Sequence, residues 1–163
     1  MSSVRAEIQM KKIYVVVLAV LLALVVSVCG DNSIDTRVDP AAKSTGMFPI
    51  KITGDRVTSG AQIYAENCAS CHGPVNGSVT LAAAPVHGEA GHTWHHPDRL
   101  LFQWILDRPP LATVMPAFRG TLTGEQVIEA LAYIKSQWPQ DIQDRQNQRS
   151  AQYEAQVVEF GTE

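Results

Sequence analysis

Cys68-Ala69-Ser70-Cys71-His72 constrains this chain more than any other feature of its 163 residues. Two thiols three positions apart lie on one side of a helical turn, and an imidazole follows at once. Three ordinary uses of paired cysteines compete for the pattern. A thioredoxin-like C-x-x-C needs a surrounding βαβ pattern, whereas the flanks here read as helical. A zinc site needs four ligands, and no second C-x-x-C supplies them. A disulfide between Cys68 and Cys71 would close too short a loop to stabilise much.

C-x-x-C-H is instead the attachment pattern of c-type haem. Thiols on one side of a turn reach the two vinyl groups on one porphyrin edge and form thioethers with them. The next residue, His72, then turns a ring nitrogen toward the iron. Covalent attachment holds the group beside its ligand, so it stays in place when the iron changes charge. One haem c per chain is the cofactor expected.

The flanks agree with this. Val57 to Asn67 reads as a helix running into the cysteines, with Ser59 as its cap and Gln62 completing a capping box. Gly60 is poor helix material, which close approach of another backbone would explain. The expected partner opens at Thr123-Gly124-Glu125-Gln126, a second cap. Val127, Ile128, Leu131, Ile134 and Trp138 then recur at helical spacing up to Pro139. Asp98 to Leu106 reads as a middle helix that buries Leu101, Trp104 and Ile105 and ends at Asp107-Arg108-Pro109-Pro110.

Met115 lies between the last two of these helices, in Thr113-Val114-Met115-Pro116-Ala117-Phe118. A methionine is by default core filler. Here Pro116 restricts the backbone on both sides, so the thioether can be held in one direction. A sulfur ligand is soft, favours ferrous iron and raises the potential relative to a second histidine. Met115 is therefore the candidate for the sixth position.

Four segments together resemble a small bacterial class I c-type cytochrome. They are Ser59-Gly60-Ala61-Gln62-Ile63-Tyr64, Cys68-Ala69-Ser70-Cys71-His72-Gly73-Pro74, Met115-Pro116-Ala117-Phe118 and Leu131-Ala132-Tyr133-Ile134. The resemblance covers about residues 54–139. It implies an all-α fold whose first and last helices cross near Gly60 and Tyr133, with haem wedged beneath. It implies Cys68 and Cys71 as thioether links, and His72 and Met115 as axial iron ligands. A domain this small has little core of its own, so a bonded haem would also serve as its staple.

Between His72 and Met115 the sequence is individual. His72 needs its other ring N–H held to fix its orientation, and a backbone carbonyl near Pro74 is the expected acceptor. His87, His92, His95 and His96 follow within ten residues. A copper or zinc site is one reading of them, with His92 and His96 at i and i+4. The plainer reading is a polar loop against the haem edge, with Trp94 covering porphyrin and Trp94 and Arg99 reaching the propionates.

The termini read as address and appendage. Ile13 to Val28 is apolar except for Tyr14 and Ser27, with Lys11 and Lys12 before it and Asp31 and Asp35 after it. That asymmetry sends the rest of the chain outward, and Met10 reads as a natural start for it. Val26-Ser27-Val28-Cys29 resembles the lipobox of bacterial lipoproteins, although Val28 stands where a small residue is usual. Residues 1–29 are thus a signal or anchor segment that is lipidated at Cys29, retained as a helix, or cleaved. Residues 30–53 form a polar tether in which Met47-Phe48-Pro49-Ile50 is an apolar island able to dock. Residues 54–139 are the cytochrome domain. Residues 140–163, rich in glutamine, form a polar tail, either a solvated helix or mobile.

A net charge of −3 without a basic run excludes nucleic acid as a partner. The reading is a one-electron carrier in the cell envelope, not an enzyme and without a small-molecule substrate. It would shuttle electrons between membrane-associated redox proteins or within a respiratory complex. The alternatives are a haem subunit of a larger oxidoreductase, or a haem sensor or small haem enzyme with a labile Met115 bond.

Overall fold

The computed structural model describes residues 46–160. The address segment 1–29 with Cys29, and the tether up to residue 45, lie outside the described residues. The elements in chain order are α1 Gly54–Asn67, α2 Ala69–His72, a 3-10 turn Thr93–His95, α3 Asp98–Asp107, α4 Gly124–Ser136 and α5 Gln140–Phe160. Among the described residues β-structure is limited to one isolated bridge between Arg119 and Leu122. The fold is all-α, as its sequence periodicity requires. No helix of the described residues is long and apolar enough to cross a membrane.

Helix α1 begins earlier than Ser59 predicts. Thr53 has extended backbone angles, and its hydroxyl accepts from the Arg56 N–H at 3.4 Å. Ser59 falls inside the helix instead, six residues past the cap. Helix α4 starts where its sequence says, with the reciprocal Thr123 and Gln126 capping box intact.

The α1–α4 crossing organises the core. Gly60 is buried at the contact, and a Cβ there would overlap the Glu129 carbonyl and come within 2.9 Å of the Tyr133 Cβ. One turn on, the Tyr64 and Tyr133 rings meet at 5.5 Å. Val127, Ile128, Leu131 and Ile134 fill the α4 side, and Ile63 and Tyr64 the α1 side. Gly60→Ala is expected to destabilise the protein by about 2 kcal/mol. Overpacking against backbone costs about 3 kcal/mol, and better helix propensity offsets about 1 kcal/mol of it. Guanidinium unfolding of the haem-loaded protein measures this, and an unchanged midpoint would mean that the crossing is looser than it looks.

The apolar island before α1 does dock. Phe48 and Ile50 are buried, and Phe48 meets Phe102 of α3 edge-on at 5.6 Å. The Ile50 N–H donates to Asp98 Oδ2 at 2.7 Å.

Residues 140–160 are not a solvated or mobile tail. They form α5, which buries Ile142, Gln146, Ser150 and Glu154, a stripe with a period of four. Three of these four are polar, and each is bonded. The Gln146 amide donates to Asp98 Oδ1 at 2.7 Å, and the Ser150 hydroxyl accepts from the Asp98 N–H at 3.0 Å. Glu154 takes the Arg99 guanidinium in a two-bond fork. At the centre Lys135 of α4, fully buried, donates to both oxygens of Asp98 at 2.9 and 2.7 Å and to Asn147 Oδ1 at 2.9 Å. Burial pushes the Lys135 ammonium below its ordinary value, and the Asp98 carboxylate pulls it back up.

Candidate haem site

The end of α1 leads straight into the paired cysteines. The Cys68 N–H closes α1 on the Tyr64 carbonyl, and the Cys68 carbonyl in turn accepts from His72 N–H at 2.9 Å. Cys68 to His72 is therefore one helical turn, which sets both thiols beside the imidazole. Neither thiol is in a disulfide. Burial, with the neighbouring Cys71, pushes the Cys68 thiol up to about 11, so it stays protonated at neutral pH.

After His72 the chain reverses at Gly73, whose φ of 66° and lack of a Cβ admit the Ser78 carbonyl. The Tyr64 hydroxyl donates to the Gly73 carbonyl at 2.9 Å and pins the turn to α1. His72 Nδ1 lies 2.9 Å from the Pro85 carbonyl, not one near Pro74. The Pro74 region is taken up by its own turn, in which the Gly77 N–H donates to Pro74 O at 2.9 Å. With Nδ1 donating to Pro85, His72 presents Nε2 as its free ligand atom.

Behind His72 stands His87, which spacing alone places only in a histidine-rich loop. The two rings stack with centroids 4.1 Å apart and planes 23° apart. His87 Nδ1 is 2.8 Å from the Thr93 hydroxyl, and the His87 carbonyl accepts from the Trp138 indole at 2.7 Å. Burial, with His72 beside it, pushes the His87 imidazole down to about 3, so it is a neutral wall.

The Met115 loop is tied to α3 rather than left free. The Phe118 and Arg119 N–H groups donate to the Ile105 and Leu106 carbonyls at 3.1 and 2.9 Å. Arg119 also forks onto Asp107 with two contacts of 2.6 Å. The loop thereby folds back across α3. Cys68, Cys71, His72 and Met115, far apart in sequence, all line one cavity of about 490 Å³. Its walls are almost wholly apolar, including Leu101, Trp104, Ile105, Leu131 and Ile134.

Residues 55–134 match the family model described as cytochrome c oxidase, cbb3-type, subunit III. The chain is 29% identical to cytochrome c6 of Thermosynechococcus vestitus over 130 residues, covering 78% of this chain and 94% of the relative. It is 31% identical to cytochrome c6 of Synechococcus elongatus over 83 residues, covering 50% of this chain and 90% of the relative. No solved structure matches significantly.

The chain belongs to the c-type cytochromes. It is accordingly a small electron-transfer protein rather than an enzyme, with covalently bound haem c as its cofactor. The cavity of this cytochrome fits that group chemically. Two unoxidised thiols, an imidazole with its far nitrogen engaged and a thioether surround an apolar space, and a flat apolar macrocycle needs such surroundings.

Arg99 and Trp94, expected at the haem edge, have partners of their own in the cytochrome. Arg99 is buried in its ion pair with Glu154, and its guanidinium lies 5.2 Å over the Phe48 ring. Trp94 donates its indole N–H to the Glu89 carbonyl at 3.1 Å and stacks on His95 at 3.7 Å, with Arg145 over its face. Neither lines the cavity. Helix α5 supplies one partner to each, Glu154 to Arg99 and Arg145 to Trp94. The histidines do not form the copper or zinc site considered from spacing. Among the described residues no three His, Cys, Asp or Glu side chains converge on a point that could hold a metal. Their rings stack on one another instead, His92 on His95 at 4.4 Å and against His96 at 5.1 Å.

Proposed function

We propose that this monohaem electron carrier holds its haem by thioethers at Cys68 and Cys71 and by axial bonds from His72 and Met115. We propose further that it shuttles single electrons between membrane-associated redox proteins outside the cytoplasmic membrane. Bound haem supplies a one-electron iron couple. The observation that carries the ligand set is the convergence of all four side chains on one apolar cavity. Pro85 fixes the azimuth of His72, and the α3 ties fix the Met115 loop. With haem bound, His72 and Met115, both already held, would leave little to move on electron transfer and no site open to substrate.

The rim supports exchange with a partner. Leu111 is 95% exposed and Val114 58% exposed, both beside Met115 at the cavity wall. Apolar side chains there let a redox protein approach the macrocycle edge without displacing tightly held water. The outward address rests on the apolar run Ile13 to Val28 behind Lys11 and Lys12, and lipidation at Cys29 would keep the carrier at the membrane face.

The test is spectroscopic. The native protein should be low-spin in both oxidation states and should not take up carbon monoxide. Met115→Ala should become high-spin and bind carbon monoxide. Its midpoint potential should fall by on the order of 0.1 V or more, since axial ligands set potentials over about 0.8 V. An unchanged spectrum and potential would remove Met115 from the iron. Carbon monoxide binding by the native protein would favour a sensor.

A further inference from the structure

Haem brings two carboxylates into the site, on the porphyrin edge opposite the vinyl groups that meet Cys68 and Cys71. Those charges need partners, because a carboxylate brought against apolar walls without one is strongly disfavoured. The cavity wall contains no lysine, arginine, aspartate or glutamate. Besides the two thiols, its ionisable side chains are His72, His87, His92 and His96. His72 is turned to the Pro85 carbonyl, and His87 is committed to Thr93 and stacked on His72. Two imidazoles are left, for two carboxylates.

We propose that His92 and His96 form the carboxylate subsite of this cytochrome and bind the haem propionates. Because the haem reading above underlies this subsite, loading is verified first in the test below.

The surroundings of the pair agree. His92 is exposed and His96 half-buried, so the subsite lies where the cavity meets solvent. The two rings meet edge-on at 5.1 Å, and His96 is held edge-on by Trp104 of α3 at 4.7 Å. From α5, Gln146 donates to the His96 carbonyl at 3.2 Å and Arg149 donates to the His95 carbonyl at 2.8 Å. The segment is thus fixed at His95 and His96 before a ligand arrives. The charged and titratable groups facing His96 are His92, His95 and Arg149, all cationic or neutral. Burial, followed by these neighbours, pushes the His96 imidazole below its ordinary value. A cluster of one sign without an anion is relieved by two carboxylates.

The subsite also couples protons to the electron. With haem bound, reduction by a redox partner would add one negative charge beside this subsite. That charge would favour a proton from solvent at the subsite, and oxidation would release it. The potential would therefore rise as pH falls.

The experiment is a titration of midpoint potential against pH from 5 to 8 on haem-loaded protein. It uses the native chain, His92→Gln, His96→Gln, the double variant and His95→Gln. Haem loading in each is verified by mass and by the reduced absorption spectrum. The native protein should show a potential that falls with rising pH. The double variant should lose that slope and sit at a lower potential at pH 5, each single variant in between. His95→Gln, which faces His92 and His96 but does not line the cavity, should keep the slope and shift only the pH at which the potential falls. A loaded double variant with the native slope and potential overturns the subsite while leaving the haem reading intact. A native chain that emerges colourless from a host competent for cytochrome maturation overturns both. If the double variant does not fold, the single variants decide, since loss of half the slope in each supports the pair and a native curve in both refutes it.

Discussion

Cys68→Ala/Cys71→Ala will yield a chain of bare polypeptide mass with much of its helical signal gone. The first effect is chemical, because without the thiols no thioether forms. The second follows from the cavity. Helices α1, α3 and α4 surround about 490 Å³ that is apolar on nearly every side. At about 24 cal/mol per Å³, an empty space of that size costs about 12 kcal/mol. The whole stability of a small domain is about 5–15 kcal/mol. Water entering past the exposed rim at Leu111 and Val114 lowers that cost but must then wet apolar walls. Either way the α1–α4 crossing loses the body it was built around. Far-UV circular dichroism and a thermal melt check this. A double variant with native ellipticity and a sharp, native-like transition would show that the helices hold one another without the haem, and the staple argument would fail.

What could be read from the sequence follows the physics of each part. The helices around the cavity were legible because they bury apolar stripes. Val127, Ile128, Leu131 and Ile134 repeat at helical spacing, and Gly60 signals the crossing by being a glycine where a helix disfavours one. Cys68, Cys71 and His72 were legible because covalent chemistry demands fixed spacing. Helix α5 was not. Its buried stripe is Gln146, Ser150 and Glu154 after Ile142, so a search for apolar periodicity passes over it. The available signal was indirect. Lys135 falls among apolar neighbours on α4, Asp98 opens α3, and each needs a buried partner that only another polar face can give. Once α5 docks, it takes Arg99 for Glu154 and places Arg145 over Trp94, and neither Arg99 nor Trp94 lines the cavity. The absence of Trp94 and Arg99 from the cavity wall and the misread tail therefore share one cause. His87 behind His72 was beyond reach from sequence, because ring stacking between residues 72 and 87 depends on how the intervening loop closes.

Lys135→Met tests that buried polar network and should destabilise the haem-loaded protein by about 3–5 kcal/mol, the usual cost of removing one partner of a buried ion pair. Asp98 would keep only the Ile50 N–H, the Gln146 amide and the Ser150 contact to its own N–H, with its charge no longer countered. The loss should spread to every element the pair joins: the docked island at Ile50, α3, α4 and α5. Asp98→Asn/Lys135→Met removes both charges and should recover part of the loss, because the desolvation cost of each goes with it. Guanidinium unfolding of the three proteins gives both numbers. A single variant within about 0.5 kcal/mol of native would put the pair among ornamental surface contacts. A double variant no better than the single would mean that packing, not charge, dominates at this point. Neither side chain lines the haem cavity, so the reduced spectrum and the midpoint potential should stay native in all three. That separation is what the fold provides: one side of α3 and α4 walls the haem, and the other carries the ion pair that fastens α5.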